Sequence, residues 1–333
     1  MKIFYTTLIL LLTVPVLAQQ DRHFTMFNAN PIELNPGAAG LFPGAIQAFT
    51  NYRSQWTKVL PKFITTFSGS ADAKIYEKNN SFVAMGVGFF NDIAGASKLT
   101  TNMYNLSVTY GIEIARDQFL AVGFQPGLFQ RKINASPLTW SSQWTGTSFD
   151  QGIVSGESLI AGNMMKFNLN TGIYYYGNVS DQLVAQGGIA LHHVTGQDIS
   201  FVGTEERLYR KIVVSGGVDY SISNSKLGIV PNAMFFMQGP NKEINIGSDF
   251  KYYIKESSKY TGYFDETSVS LGAYYRTGDS FNTTFYLNHA GFSLGLSYDF
   301  NMSGLSPATG GLGGMEFALR YRSSFSAAYS SFK

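Results

Sequence analysis

The feature that most constrains this chain is a period of two in its side chains, sustained from about residue 44 to residue 325. Phe292, Leu294, Leu296, Tyr298 and Phe300 alternate with Ser293, Gly295, Ser297 and Asp299. Tyr104, Leu106, Val108, Tyr110, Ile112 and Ile114 alternate with Asn105, Ser107, Thr109, Gly111 and Glu113. Met315, Phe317, Leu319 and Tyr321 alternate in the same way with Glu316, Ala318, Arg320 and Arg322. Successive side chains of a strand point to opposite faces, so each stretch carries one apolar, aromatic face and one polar face. A soluble sandwich would cover its outer faces with Lys and Glu. Here the polar face is built from Gly, Ser and Asn, and charged residues are only 14% of the chain, against about a quarter in soluble domains. Lipid outside and a polar lumen inside account for both faces.

The fold expected is therefore all-β: a single antiparallel up-and-down transmembrane β-barrel of about 14 strands, an even number as bacterial barrels require. The strands are placed at 44–52, 62–73, 81–91, 99–114, 117–134, 163–178, 180–196, 209–222, 226–238, 242–255, 266–278, 281–289, 291–301 and 312–325. Such barrels have short periplasmic turns and longer outer loops. With a periplasmic N-terminus, connections 53–61, 91–98, 135–162, 197–208 and 302–311 face outward, whereas 115–116, 179 and 223–225 are tight inner turns. Connections 74–80 and 256–265 are longer than an inner turn should be.

Ahead of the barrel, residues 1–18 read as a secretory signal peptide. Lys2 supplies the positive start, an apolar stretch follows, and Val16-Leu17-Ala18 offers a small-residue cleavage site before Gln19. No Cys follows that site, so lipid anchoring through a cysteine is excluded. Residues 19–43, rich in Asn and Pro, are expected to fold against the periplasmic mouth, and 326–333 form a C-terminal tail. The absence of cysteine removes disulfides, thiol catalysis and Cys-based metal sites. A net charge of +2 offers no basic face for nucleic acid.

Candidates for chemistry are few, and no enzyme, cofactor or metal site is expected. His289 and Ser293 would lie about 13 Å apart on one strand, and although a turn at Ala290-Gly291 would bring them closer, no orienting acid is near in sequence. His192 and His193, as neighbours on a strand, should face opposite ways and share no metal. The stretch Thr309-Gly310-Gly311-Leu312-Gly313-Gly314 lacks the Lys-Ser/Thr of a phosphate loop and reads as a loop-to-strand junction. Charges on the polar phase are more informative: Glu113, Asp219, Glu243, Asp249, Lys251, Arg276, Asp299, Glu316, Arg320 and Arg322. Arg or Lys at mid-membrane on the lipid face costs about 2–4 kcal/mol, so these residues should face the lumen, either as a paired network that stiffens the barrel or as a polar conduit or docking surface.

Phe24-Thr25-Met26-Phe27-Asn28, Tyr52-Arg53-Ser54-Gln55-Trp56 and Ser297-Tyr298-Asp299-Phe300-Asn301, in this order, resemble segments of the PorP/SprF family of type IX secretion system outer-membrane proteins of the Bacteroidetes. Phe24-Thr25-Met26-Phe27-Asn28 followed by Asn35-Pro36-Gly37-Ala38-Ala39-Gly40 resembles the family opening, with Gly37 where another Ala is frequent. Tyr52-Arg53-Ser54-Gln55-Trp56 matches its Tyr-Arg-x-Gln-Trp, and Pro61-Lys62-Phe63 departs from its Pro-x-Thr. Gly86-Val87-Gly88 with Asn91-Asp92, then Phe149-Asp150 with Gly156-Glu157, and Ser297-Tyr298-Asp299-Phe300-Asn301 continue the pattern in order along the mature chain. The resemblance implies a part in protein secretion, surface attachment of cargo bearing a C-terminal sorting domain, gliding motility in some members, and work alongside periplasmic ring proteins. It marks Asn35, Pro36, Tyr52, Arg53, Gln55, Trp56, Phe149 and Asp150 as candidate contact residues. Interface placement explains Tyr52 and Trp56; Arg53 and Gln55 are expected to tie the outer loop to a neighbour. The alternative is a passive outer-membrane pore or small-solute transporter.

Overall fold

The computed structural model describes residues 21–56, 64–156, 162–201, 204–255 and 266–323; the signal-peptide assignment, Pro61-Lys62-Phe63, Glu157, connection 256–265 and the tail lie outside them. Fourteen strands are present among these residues. The first seven are β1 (Ile46–Gln55), β2 (Ile64–Lys78), β3 (Ser81–Ala94), β4 (Leu99–Ala115), β5 (Gln118–Lys132), β6 (Asn163–Ser180) and β7 (Leu183–His192). The second seven are β8 (Lys211–Ser221), β9 (Leu227–Gln238), β10 (Asn241–Lys255), β11 (Thr267–Arg276), β12 (Ser280–His289), β13 (Phe292–Asn301) and β14 (Leu312–Arg322). Each pairs antiparallel with its neighbours in sequence, and β1 pairs with β14 from Gln47↔Arg322 to Gln55↔Gly314, so the sheet closes on itself and leaves no edge.

The alternation sorts as the two faces demand. Phe250 and Leu271 stand opposite each other on β10 and β11, 62% and 66% exposed on the outer wall. Their neighbours Asp249 and Ser270 are buried inside. No helix among the described residues is long and apolar enough to cross a membrane; the crossing elements are strands, each paired with a neighbour on both sides around the ring.

One end of the barrel carries tight connections and is called here the turn end. Asn79, Asp117 and Asn224 adopt positive φ there, a conformation Asn and Asp tolerate well. The 74–80 connection is not a long inner turn: β2 continues to Lys78 past a register shift at Lys74/Tyr76, leaving Asn79-Asn80 as a two-residue turn. The opposite, loop end carries the 133–162, 193–210 and 302–311 connections.

The N-terminal segment departs most from expectation. Rather than resting against the mouth, residues 21–43 run through the lumen. Asp21 lies at the loop end beside His193, Lys211 and Gln238. The chain then returns past mid-wall to Phe42, beside Arg322 at the turn end, before β1 begins. Its Pro residues divide it into short turns, since Pro opens a helical turn but cannot sit inside a longer helix. Pro31–Leu34 forms one turn and Pro36–Ala38 the next, the latter capped by the Asn35 side chain, which accepts from the Gly37 amide at 2.9 Å. Ile32, Ala38, Ala39 and Leu41 pack on Phe82, Ala84, Ala121 and Tyr174 of the wall, and Phe27 packs on Val213, Met234 and Phe236. The inner wall is thus polar except where this plug covers it and where Phe129 packs under Ile199 and Leu208 of the 193–210 loop.

Candidate functional site

The plug is held at the loop end by a buried ion cluster. Arg53 on β1 stands directly across the closing seam from Glu316 on β14. Its guanidinium donates to Glu316 and, at 2.7 Å, to Asp299. Arg276 on β11 reaches Asp279 at 2.8 Å, Asp299 at 3.4 Å and Glu243 at 3.7 Å. Between the two guanidinium groups sits one plug hydroxyl. Thr25 Oγ1 accepts from Arg53 Nη1 at 2.9 Å and from Arg276 Nη2 at 2.6 Å, and donates to Asp299 at 2.7 Å. The Thr25 and Met26 amides both donate to the Glu316 carboxylate. Arg53, Arg276 and Glu316 are each no more than 1% exposed. Buried charges require partners for every lone pair and proton, and here the plug backbone supplies part of that satisfaction.

Arg53 and Gln55 are both engaged inside the barrel. Arg53 points into the lumen because it is out of phase with lipid-facing Tyr52, and Gln55 turns its amide oxygen to the same guanidinium, 2.6 Å from Nη2. Trp56 ends β1 at positive φ, its amide bonded to Gly313.

A second contact region lies nearer the turn end, around Asn35-Pro36-Gly37. Asn35 Nδ2 donates to the Ile173 carbonyl at 2.9 Å, and Thr109 Oγ1 donates to the Pro36 carbonyl at 2.8 Å. The wall is notched with glycine where the plug touches it. A Cβ on Gly123 would lie 2.3 Å from the Pro36 carbonyl carbon, and one on Gly172 would lie 2.2 Å from Asn35 Oδ1. These wall glycines were not singled out from the sequence; their only signal was an unusual glycine load on the polar phase.

The remaining candidates do not join one site. Asp249, bonded to Tyr274 and Thr284, and Lys251, between Asp219 at 3.6 Å and Glu266 at 2.8 Å, lie towards the turn end. Arg320 and Arg322 face the same space. Glu113 is not part of the lumen network: it caps the β4–β5 turn by accepting from the Asp117 amide at 2.9 Å. Phe149 and Asp150 lie in the 133–162 loop, where Phe149 meets Trp144 edge-on with ring centroids 4.9 Å apart and Asp150 accepts from the Gly152 amide. In the neighbouring 193–210 loop, backbone amides of Glu206 and Ser200 bond Asp198 and lower its pKa from the usual carboxylate value.

His192 and His193 break the alternation rule. β7 ends at His192, and His193 turns to φ 55°, so both rings point inward, 6.4 Å apart. His192 meets the Leu34 carbonyl and His193 meets Asp21 at 2.7 Å; both therefore hold the plug. His289 pairs with Thr267 Oγ1 at 2.9 Å and makes no hydrogen bond to Ser293. Among the described residues no cluster of three or more His, Asp or Glu could hold a metal ion.

Solved structures with a similar course of chain include TbuX, the toluene transporter of Ralstonia pickettii, at 9% identity and TM-score 0.46, covering 87% of this chain and 92% of that one. TodX, the toluene transporter of Pseudomonas putida, is similar at 11% identity and TM-score 0.49, covering 88% and 93%. At those scores the likeness adds nothing to the strand pairing, which establishes the barrel by itself. Curated proteins offer no match to the chain. The family model for the type IX secretion system membrane protein PorP/SprF matches residues 16–321. That span takes in the plug, its clamp and all but the last residue of the barrel, and the chain belongs to the PorP/SprF family of type IX secretion system membrane proteins.

Proposed function

We propose that this protein is a plugged, non-enzymatic outer-membrane barrel that supports secretion or surface attachment of sorting-domain cargo, working with periplasmic ring proteins, rather than a solute pore. The observation that carries this reading is the N-terminal segment running the length of the lumen, bound at one end by a buried ion cluster and seated in glycine notches further along. A conduit gains nothing from filling its own lumen with a covalently attached, charge-clamped segment. A barrel that presents loops to partners gains a rigid wall.

The long loops face the cell exterior in this reading, and the tight turns face the periplasm. Asp21 then sits beneath the outer loops. A retained apolar leader would have to leave through those loops, which favours removal of residues 1–18 before insertion. The test is capture of the protein from native outer membranes under mild detergent, with mass spectrometry of its companions, in parallel with a deletion strain. Recovery of periplasmic ring proteins or sorting-domain cargo, with loss of surface cargo on deletion, is the expected outcome. A barrel recovered alone, with cargo display intact in the deletion strain, contradicts the proposal.

A further inference from the structure

Beneath Asn28–Pro31 the lumen widens into a cavity of about 460 Å³ that opens among the tight turns. Asn28, Ala29 and Pro31 of the plug form its roof. Of the four acids lining it, Asp181 lies at the β6–β7 turn and the other three are engaged on the wall. Asp249 accepts from Tyr274 and from Thr284, the latter at 2.6 Å, and Asp219 and Glu266 share the Lys251 ammonium. Two cations on β14 are less committed. Among the described residues the Arg320 guanidinium makes one hydrogen bond, to the Ala29 carbonyl at 3.4 Å, and the Arg322 guanidinium makes one, to Gln47 at 2.6 Å, lying over the Phe42 ring. Among the described residues neither guanidinium has a carboxylate within ion-pair distance. Each offers five N–H donors in a planar fork that matches a carboxylate. Standing two residues apart on β14, they share a face with roots about 7 Å apart.

We infer that this cavity is an anion-binding vestibule in which Arg320 and Arg322 receive a ligand bearing paired carboxylates. Such a ligand has two sources: an acidic peptide segment offered from the turn end, or a small dicarboxylate. Fork-to-carboxylate pairing recognises either, because each supplies two planar carboxylate acceptors. The roof is formed by the plug, so a bound ligand would lie against Asn28 and Ala29 and couple the vestibule to the plug. The site does not depend on which end faces the periplasm or on any secretion role, so its test stands apart from that of the proposed function.

Full-length protein in detergent micelles is titrated with two probes, fluorescein-labelled hexaglutamate by anisotropy and glutarate by calorimetry. The comparison is with Arg320→Gln/Arg322→Gln and with Lys132→Gln/Lys166→Gln, which removes the same charge at the loop end. Unfolding temperature and heat-dependent gel mobility establish that each variant is folded. Hexaglutamate, glutarate or both should bind the wild type and the loop-end variant alike, weaken steeply with salt, and lose about tenfold or more in affinity in the double arginine variant. Preference for hexaglutamate identifies a peptide-borne ligand; equal or tighter binding of glutarate identifies a small anion. If neither probe binds the wild type at millimolar concentration, or if the folded double arginine variant binds as well as wild type, the vestibule is not an anion site.

Discussion

Gly123→Ala isolates the plug from the barrel. A methyl group at this position would sit 2.3 Å from the Pro36 carbonyl carbon and 2.4 Å from the Gly37 nitrogen. Both are backbone atoms and cannot swing aside, so the plug must retreat by about 1 Å to reach ordinary contact. That movement stretches the Thr109–Pro36 bond at 2.8 Å and the Asn35–Ile173 bond at 2.9 Å beyond hydrogen-bonding range. Two neutral hydrogen bonds at about 1 kcal/mol each, plus about 1–3 kcal/mol for overpacking, put the loss at about 3–5 kcal/mol on the plugged state. Within the strand itself, Ala replaces Gly at no cost to the barrel. Plug release should become about 100- to 4,000-fold more frequent, since 1.4 kcal/mol corresponds to a factor of ten. Native-state proteolysis in micelles reads this directly, as cleavage within residues 21–43 while the barrel core stays resistant. Equal cleavage rates in Gly123→Ala and wild type would refute the notch argument. A variant that fails to form a barrel at all would refute the separation of plug from wall.

Three further outcomes follow from the same geometry. Thr25→Val removes the hydroxyl shared by Arg53, Arg276 and Asp299; with charged partners at about 1.5–3 kcal/mol per hydrogen bond, the temperature at which the plug becomes protease-sensitive should fall by several degrees. Arg53→Met leaves the buried Glu316 and Asp299 short of a cation at the closing seam, and should cost about 3–5 kcal/mol in urea unfolding from lipid vesicles. Leu271→Arg places a charge on the outer wall at mid-strand and should cost about 2–4 kcal/mol in that assay, whereas Leu271→Phe should be near neutral.

What was legible in the sequence was whatever follows from strand period and from turn chemistry. Phe292 to Phe300 and Tyr104 to Ile114 face outward as their alternation requires, and Asp299 and Glu316 face inward. Period two fails wherever the chain leaves the strand. His193, at positive φ, turns inward beside His192 instead of away from it, and Glu113 is taken by the adjacent turn. Arg53 was in the polar phase all along, but the aromatic company of Tyr52 and Trp56 drew attention to the membrane interface. The path of residues 21–43 was not legible, because it depends on the width of a lumen that exists only once fourteen strands have closed. Its traces were indirect: glycine at 86, 123, 172 and 188, each where a side chain would strike Ile32, Pro36 or Asn35. The Asn-Pro-Gly turn lies in the plug and the Tyr-Arg-x-Gln-Trp strand in the wall, and the two belong to one assembly.

The most direct test of that assembly is single-channel conductance in planar bilayers, comparing the wild type with a barrel lacking residues 22–41. The account predicts a wild type that inserts without sustained current and a deletion variant with stable, large openings. A wild type that conducts as freely as the deletion variant would contradict the claim that the N-terminal segment closes the lumen.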